Sequence, residues 1–388
     1  MRVIEVNDKA SVNAFHELPY LIYRSDPNWI PPLRSMVELT LNPKGNNSLK
    51  GGGVCRWLVQ ENGKVVGRIA AFYVQTYAYS FEQPTGGIGF FECTDNQEAA
   101  NLLFKTACSW LTEHRMEAVD GPINIGENFF NWGLLVKGFM PQSFGMPYNP
   151  RYYRSLFENF GFKTFYEQYS YHLDITSPDL PERFWKIAGW MAKKPGYRFE
   201  QFRFSEKKIF IRDFIEIYEQ AWVKHDNYKR IVADDIETML EQSKMMIDEE
   251  FIWFVYHEDT PIALLMMVPD MNQLFRYCRN GKLNLLKLLK LTYLKRRKVI
   301  NRCRVLVMGV IPRFQKSGIE SAIFWQLRQV LLKKNWYNEM ELGWVGDFNP
   351  KMISIFKAVG GVHAKTHLTL RYLFDRSKDF KRSAIIED

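Results

Sequence analysis

The chain has 388 residues, of which 46% are hydrophobic and 15% aromatic, so it is long enough for two domains and too apolar to be mainly disordered or fibrous. Nine basic residues and no acids lie between Lys282 and Arg304, and they account for the net charge of +9, since the remaining chain has 43 basic and 43 acidic residues. A charge excess confined to one segment is not the broad basic surface of a nucleic-acid-binding protein, which argues against nucleic acid as a partner.

The chain begins with Met1–Asp8, where acidic and amide residues come too early for a secretory signal. No run of the sequence approaches the roughly 18 to 20 apolar residues that a membrane-spanning helix needs. The five cysteines are scattered and never spaced as Cys-x-x-Cys, which indicates reduced thiols and argues against a disulfide framework. We therefore expect a cytoplasmic protein.

Two segments have the pattern of a β-hairpin. In residues 55–72 an Asn-Gly pair separates two apolar runs, and Asn-Gly is favoured in a type I′ turn because both residues tolerate a positive φ. Residues 251–268 repeat the pattern around a polar turn, and the tryptophans of the two first strands, Trp57 and Trp253, are 196 residues apart. This spacing indicates an internal duplication.

Two later segments, 149–161 and 349–361, follow a second shared pattern. Each opens with Asn-Pro and ends with glycine, as a helix does when asparagine caps it, proline takes the first position and glycine follows the last turn. An alternating strand is predicted after each helix, at 164–174 and 365–374. The offset between the two helices is 200 residues, which supports the duplication.

Longer amphipathic helices are predicted at 96–114 and 319–333. Each module then reads strand, helix, hairpin, long strand, helix, strand, helix, strand. The predicted fold class is α+β (mixed α/β): two tandem modules, each a mostly antiparallel twisted sheet flanked by helices.

Proline and polar residues interrupt the pattern near residues 176–181 and predict a domain boundary there. We predict an N-terminal domain at 1–176 and a C-terminal domain at 182–376. The second carries a basic helical insertion at about 273–300, and 377–388 form a flexible tail.

The segment that follows residue 303 is typical of an anion-binding site. A buried strand at 304–311 leads into a polar turn at 312–318, and a helix begins at Ile319. Backbone N–H groups and the helix dipole attract a phosphate at such a turn, and glycine lets it approach closely. Arg313 and Lys316 add positive charge. The turn has neither the nucleoside-triphosphate loop pattern nor the GxGxxG dinucleotide pattern.

In the residues Gln315-Lys316-Ser317-Gly318-Ile319 this turn resembles the signature Q/R-x-x-G-x-G/A of the GCN5-related N-acetyltransferase (GNAT) superfamily. Glu320 departs from the last small position. The later helix from Asn349 is similar to the fourth helix of that superfamily, in which an asparagine faces the cofactor arm.

Four further segments, Asp26–Leu33, Val66–Ala71, Gly121–Asn124 and Pro147–Pro150, resemble a bacterial family of tandem GNAT-fold proteins, and the resemblance covers nearly the whole chain. It implies an N-acyltransferase that uses acetyl-CoA or a longer acyl-CoA as co-substrate. The acceptor it implies is a primary amine of unidentified structure.

The resemblance also implies which residues bind acyl-CoA. The turn would hold the pyrophosphate, and backbone amides near Val310 would hold the thioester carbonyl. The superfamily's usual general acid is a tyrosine seven residues after the asparagine, and Phe356 replaces it here, so another residue or water would have to protonate the thiolate. The predicted cofactor-binding residues are Val310, Ile311, Arg313, Gln315, Lys316, Ser317, Gly318, Ile319, Asn349 and Phe356.

Glu341 is the predicted general base, because an acid in a central strand is costly unless it is paired or used. The resemblance implies that the strand that carries Glu341 separates from the preceding strand and lines the acyl-transfer cleft. The alternative is a structural acid paired with a nearby lysine. Asp347 is a candidate for binding the amine or for capping a helix, and Tyr372 is a candidate stand-in acid.

The first module has a different turn at the equivalent place. Residues 92–98 contain three acids and no glycine, so we expect this turn to repel a pyrophosphate. The first module is therefore predicted to be a degenerate partner that shapes the substrate side.

Two other functions stay open. One is a non-catalytic acyl-CoA-binding or scaffold protein, favoured by Phe356 and Glu320. The other resembles tandem GNAT-type transferases that take an aminoacyl group from tRNA. A metal is not expected, because the seven histidines include no HxxxH pair on a predicted helix; His363 and His367 fall in a strand, where that spacing is wide for one ion.

The insertion combines leucines with lysines between residues 285 and 298. A helix that packs its leucines on the core and exposes its lysines is one interpretation. Peripheral membrane contact through 282–304 is a second, and a lid whose cations meet the phosphates of the co-substrate is a third.

Overall fold

The computed structural model describes residues 1–125, 130–222 and 231–386, which form two compact units. Unit 1 draws its described residues from Met1–Gln168, Phe275–Leu291 and Lys365–Ile385. Unit 2 draws them from Tyr169–Leu274 and Thr292–Ala364, together with Ile386. The domain ranges given above stay a prediction. The units differ from them in that Phe275–Leu291 and Lys365–Ile385 cluster with unit 1 and residues 169–176 cluster with unit 2.

The first half of the chain carries the elements β1 (Arg2–Glu5), α1 (Lys9–Ile22), α2 (Arg34–Leu41), β2 (Gly53–Glu61), β3 (Lys64–Tyr73), α3 (Gln75–Ala78), β4 (Thr85–Cys93), α4 (Gln97–Glu113), β5 (Ala118–Gly121), β6 (Leu134–Lys137), α5 (Tyr153–Phe160) and β7 (Lys163–Asp174). The second half carries α6 (Glu182–Met191), β8 (Tyr197–Gln201), α7 (Lys207–Trp222), α8 (Ala233–Ser243), β9 (Ile252–His257), β10 (Thr260–Pro269), α9 (Asn272–Phe275), α10 (Leu285–Arg296), β11 (Arg302–Val310), α11 (Ile319–Lys334), β12 (Glu339–Gly346), α12 (Pro350–Ala358) and β13 (Val362–Leu373).

The duplicated order of elements is confirmed. Each half contains a strand, helix, hairpin, strand, helix, strand, helix and strand in that order, and the fold is mixed α/β with mostly antiparallel sheets. The first hairpin turns at Asn62 and Gly63, whose φ angles of 48° and 77° are those that a type I′ turn requires. The second turns at Glu258, which also has a positive φ, of 54°.

The sheet of unit 1 has the strand order β1-β2-β3-β4-β5-β13. In this order β4 and β5 pair in parallel, and the other neighbours pair antiparallel. The last strand of the chain thus completes the sheet built by the first half, with Leu370 opposite Gly121. Buried Arg371 fixes this strand by two hydrogen bonds to the carboxylate of buried Asp120, at 2.6 and 2.8 Å. Its guanidinium also lies 3.6 Å from the ring centroid of Phe165.

The sheet of unit 2 includes the strand order β8-β9-β10-β11-β12, and β11 and β12 pair in parallel. Their described ladder has three pairs, which end at Arg304 opposite Glu341. Since β11 continues for six residues beyond Arg304, the two strands separate after this point. This is the separation that the sequence predicted, and it leaves an opening between the carboxyl-terminal parts of the two strands.

Apolar helix faces cover the sheets. In unit 1, Phe91 of β4, Phe104 of α4 and Phe157 of α5 pack with ring centroids 4.7 to 5.0 Å apart. In unit 2, Ile323 and Leu327 of α11 are fully buried, which confirms the predicted apolar face of that helix. Packing of this kind supplies most of the stability of both helices.

The two Asn-Pro segments differ in structure. Asn349 caps α12 as predicted, because its Oδ1 accepts a hydrogen bond from the Met352 N–H at 3.1 Å. The prediction that Asn149 caps the corresponding helix is wrong: α5 begins only at Tyr153. The side chain of Asn149 instead binds the backbone N–H and C=O of Leu135 at 2.7 and 3.1 Å, so it holds β6 and is not available to a helix.

Candidate functional site

The predicted phosphate turn has the backbone of an anion cradle. It passes through a short helical turn at Pro312–Phe314, and then Lys316 and Gly318 adopt positive φ angles of 64° and 88°. Gly318 is the N-cap of α11 and has no side chain that could cap the helix, and the Glu320 carboxyl contacts only its own backbone N–H in the first turn. The first-turn N–H groups of a 16-residue helix therefore point out of the turn and favour a bound anion.

The space beside Gly318 is open enough for an anion to approach the turn. A Cβ atom added at Gly318 would have the Met191 Cγ, at 3.6 Å, as its nearest neighbour, so no backbone lies close against the glycine. Arg313, Lys316 and Ser317 have exposed side chains around it, and the Ser317 hydroxyl donates to the Phe314 carbonyl, which fixes the loop. The turn is open, basic and held in shape by its own hydrogen bonds.

The end of β11 lies beside the turn. The Ile311 N–H donates to the Ile262 carbonyl at 2.9 Å, and successive residues of an antiparallel strand direct their backbone groups to opposite edges. The backbone of Val310 therefore faces the other edge, where β12 has separated. Its carbonyl accepts a hydrogen bond from Gln315 Nε2 at 3.0 Å, and its N–H points into the opening between the strands.

A lysine that the sequence analysis did not select joins this site. Lys351 Nζ donates to Gln315 Oε1 at 2.8 Å, which links the first turn of α12 to the phosphate turn. The helix dipole disfavours a cation in a first turn, so a lysine directly after an Asn-Pro cap is itself a signal that it serves another purpose. Lys351 adds a third positive charge close to the turn, after Arg313 and Lys316.

Glu320, the residue that departs from the GNAT signature, lies in the first turn of α11 and is only 6% exposed. Burial raises the pKa of its carboxyl above the ordinary 4.5, and its own backbone N–H and the charge of Lys351 offset part of that increase. An ionised carboxylate here is therefore costly to the fold and repels an anion at the turn.

We expect Glu320→Gln to stabilise the protein at pH 7 and to tighten acyl-CoA binding by about threefold or more. The folded-state pKa is raised, so the penalty grows as the pH rises above 4.5 and is absent below it. Thermal unfolding at pH 7 and pH 4 and calorimetric titration with acyl-CoA measure both effects. Glu182→Gln, at an exposed position of α6, is the control. A Glu320→Gln protein that is less stable at pH 7 would contradict this account.

Glu341 lies in β12 and is 2% exposed. It is opposite Arg304, which is 1% exposed and whose Nε donates to the Gly343 carbonyl at 3.4 Å. Burial lowers the pKa of Arg304 to about 10, while the charge of Glu341 acts in the other direction. Glu341 thus has a charged structural partner, an arginine and not the lysine considered above, and its role as a base stays a prediction.

The remaining site residues of unit 2 lie on the far side of the opening. Asn349 caps α12, and Asp347 is half-buried in the connection before it. Phe356 is 3% exposed, with its ring centroid 5.7 Å from that of Tyr171. A Cβ at Gly343 would lie 3.0 Å from the same ring. Phe356 therefore fills the core behind the separated strand, and Tyr171 is a neighbouring tyrosine that the sequence analysis missed because β7 precedes the second module.

Tyr372 belongs to unit 1, whereas the phosphate turn belongs to unit 2. Its ring packs against Phe160 and Phe162 at centroid distances of 5.0 and 5.5 Å, and the guanidinium of Arg376 lies 4.7 Å from its centroid. Aromatic packing explains its position. Its role as an acid is untested.

In unit 1, side chains occupy the end of β4, which corresponds to the end of β11 in unit 2. The Tyr153 hydroxyl accepts a hydrogen bond from the Cys93 N–H at 2.9 Å, at the end of β4, and donates to Glu92 at 2.7 Å. Glu92 lies 3.6 Å from the buried Arg68. The backbone amide that corresponds to that of Val310 is therefore occupied. The residue 200 positions after Tyr153 is Ile353, which has no hydroxyl to occupy the amide in unit 2.

The described part of the chain contains neither a metal cluster nor a membrane-spanning helix. No group of three or more His, Cys, Asp or Glu side chains there is arranged to hold a metal ion. Within the same residues, no helix combines the length and apolar character needed to cross a membrane.

Two bacterial proteins are similar to this chain along most of its length. No family model matches the chain. It is 28% identical over 379 residues to bacterial ceramide synthase of Caulobacter vibrioides (strain NA1000 / CB15N), covering 95% of this chain and 96% of that protein. Protein YghO of Escherichia coli (strain K12) is 24% identical over 361 residues, covering 91% and 90%.

Among solved structures, a tandem GNAT protein from the clavulanic acid biosynthesis pathway superposes with a TM-score of 0.58 at 11% identity, covering 97% of this chain and 99% of that one. That degree of likeness shows the fold. The chain has the fold of the GCN5-related N-acetyltransferases in its tandem form, as its sequence motifs predicted.

Proposed function

We propose that this protein is an acyl-CoA-dependent N-acyltransferase whose acyl-CoA site lies in unit 2. The observation that carries the proposal is the open turn at the start of α11, which lies beside the end of β11 where β12 has separated. A phosphate-binding turn and a strand edge with an outward backbone amide are the two elements needed to hold the pyrophosphate and the thioester carbonyl of one acyl-CoA molecule.

In this proposal each site residue has a role in binding or in proton transfer. The backbone of residues 315–319 and the charges of Arg313, Lys316 and Lys351 bind the pyrophosphate, and Asn349 contacts the arm. The Val310 amide stabilises the oxyanion that forms when the amine attacks the thioester carbon.

Proton transfers complete the proposed reaction. Glu341 accepts the proton of the substrate ammonium, directly or through water, and Asp347 binds the amine. The carbon–sulfur bond then breaks, and water protonates the departing thiolate, so that an amide and free coenzyme A are released.

We further propose a long acyl chain and a long-chain amine as the substrate class. The relative that matches 95% of this chain is a ceramide synthase, and a ceramide is a fatty-acid amide of a long-chain amino alcohol. An apolar surface suited to a hydrocarbon chain lies next to β11. Phe214, Tyr218 and Trp222 of α7 stack at centroid distances of 6.0 and 5.0 Å, and the Trp222 ring lies against Gly309.

Mass spectrometry of the reaction with palmitoyl-CoA and a long-chain 2-amino alcohol tests the proposal: we expect the amide and an equal amount of free coenzyme A. We expect Glu341→Gln to lower kcat about 100-fold or more at pH 7 with little change in the KM for acyl-CoA. Because the role is proton removal, the activity of the variant should recover as the pH rises and more amine is unprotonated.

Glu339→Gln, which removes a carboxylate two residues earlier in β12, is the matched control and should retain activity. The Glu341→Gln protein is also expected to unfold at a lower temperature, because Arg304 loses its partner. If its kcat, corrected for the folded fraction, stays within about threefold of the wild type, Glu341 is a structural residue and not the base.

A non-catalytic acyl-CoA-binding protein is the second candidate, and one observation favours it. Phe356 occupies the position of the superfamily's acid and is packed in the core, 3% exposed. This candidate predicts binding of acyl-CoA at the same turn without amide formation from any amine tested.

A further inference from the structure

The helix α10 exposes its apolar side chains to solvent. Leu285, Leu286, Leu289 and Tyr293 are 72%, 77%, 59% and 61% exposed, whereas Leu291 is 7% exposed. The interpretation that this helix packs its leucines on the core is therefore wrong for Leu285, Leu286, Leu288 and Leu289, whereas Leu291 is buried and Leu294 is half-buried. Exposed leucines at this density on one short helix are unusual in a monomeric protein surface and indicate an interaction site.

The exposed residues form one continuous face. Leu285, Leu289 and Tyr293 are spaced four residues apart, so they lie above one another on the helix, and Leu286 lies next to them. Leu291 is two residues from both Leu289 and Tyr293, about 200° around the helix, and points to the opposite side. We call the four exposed residues the leucine face.

The chain on both sides of the helix is fixed by hydrogen bonds. Before it, the Gly281 carbonyl accepts from the Arg34 N–H at 2.9 Å. Within it, Lys287 Nζ donates to the Lys282 carbonyl at 2.9 Å, and near its end Lys295 Nζ donates to the Met245 carbonyl at 2.9 Å. Each end of the helix is thus tied by a hydrogen bond to the unit to which it belongs.

Positive charge surrounds the leucine face. The exposed cations of this segment are Lys282, Lys290, Lys295, Arg296, Arg297 and Lys298, and the sequence contains no acid between residues 282 and 304. Arg302 and Arg304 do not belong to this surface, because they lie in β11 with only 14% and 1% of their side chains exposed.

We propose that α10 lies flat on a bilayer that contains anionic lipid, with the leucine face in the interfacial region and the surrounding cations on the lipid headgroups. The positive charge around the leucine face distinguishes between the two surfaces that could cover it. A second copy of the chain would bring the same cations against each other, whereas an anionic bilayer offers an apolar layer and negative charge together. This proposal does not depend on the proposed enzymatic function.

Sedimentation of the full chain with vesicles tests it. We expect binding to phosphatidylcholine vesicles that contain about 30% phosphatidylglycerol, little binding to pure phosphatidylcholine, and a decrease as salt is added. Leu285→Ser/Leu286→Ser/Leu289→Ser should lower the partition coefficient about tenfold or more without a change in thermal unfolding. Arg296→Gln/Arg297→Gln/Lys298→Gln should lower it to a similar extent.

Lys186→Gln/Lys193→Gln/Lys194→Gln removes the same charge from another exposed region, in and just after α6, and should bind as the wild type does. Absence of wild-type binding to the anionic vesicles, or equal binding by the leucine variant, would overturn the proposal. So would a dimer in sedimentation velocity that the leucine variant dissociates, because the leucine face would then be covered by a second copy.

Discussion

Gly318→Glu is expected to abolish acyl-CoA binding, with a dissociation constant at least about 100-fold higher in calorimetric titration. The substitution places a carboxylate at the N-cap of α11, where the pyrophosphate is proposed to bind, and forces an L-residue into a φ of 88°. The introduced carboxylate repels the pyrophosphate, and the strained backbone changes the directions of the amides that would bind it. Both effects weaken acyl-CoA binding. The wild-type protein should bind one acyl-CoA per chain, since unit 1 closes the corresponding amide with Tyr153.

Gly63→Glu is the matched control. Gly63 also has a positive φ, of 77°, and a Cβ there would have no neighbour within 4 Å. The same substitution thus introduces the same charge and a similar backbone strain in a hairpin turn of unit 1. Equal weakening of binding by both variants, or unchanged binding by Gly318→Glu, would place the acyl-CoA site elsewhere.

Arg371→Ala is expected to lower the free energy of unfolding by about 3–5 kcal/mol, measured by denaturant titration. The substitution leaves the carboxylate of Asp120, which is 0% exposed, without its bidentate partner. It also removes the guanidinium from its position over the Phe165 ring. Because Arg371 joins the last strand to β5, its loss should release β13 from the sheet of unit 1.

Arg376→Ala provides the comparison for this prediction. Arg376 also contacts an aromatic ring and donates to a backbone carbonyl, that of Gly161, at 3.1 Å, but its side chain is exposed. Arg376→Ala should lower the free energy of unfolding by only a small fraction of the decrease expected for Arg371→Ala. Equal effects of the two substitutions would mean that burial of the Arg371–Asp120 pair does not determine the stability of this strand.

The duplicated fold could be predicted because its signals are local. An Asn-Gly turn, an apolar face at helical spacing and a glycine after a last turn each depend on a few adjacent residues. The phosphate turn at 312–318 is local in the same sense, and its positive φ angles at Lys316 and Gly318 agree with the motif. The prediction that β11 and β12 separate came from the resemblance to a known fold.

The features that the sequence did not predict depend on partners far along the chain. Lys351 contacts Gln315 from another helix, and Arg304 was counted with the exposed basic segment although it is buried opposite Glu341. Asn149 has the same local sequence as its counterpart 200 residues later, but Leu135 takes its hydrogen bonds. Local pattern cannot distinguish these cases, because tertiary contacts decide which partner a polar side chain meets.

The exposed leucines of α10 are another feature that local pattern could not predict. Leucine and lysine spacing fits a helix equally well whether its apolar face turns to the core or to solvent. The burial of Leu291 in the structure shows which side of α10 faces the protein.

Hydrogen–deuterium exchange of the wild-type protein with and without palmitoyl-CoA tests the central claim most directly. The account predicts slower exchange of the backbone amides of residues 310–320 when the ligand is present, and unchanged exchange at 92–98 in unit 1. Protection confined to 92–98, or no protection at 310–320 under conditions where palmitoyl-CoA is bound, would contradict it.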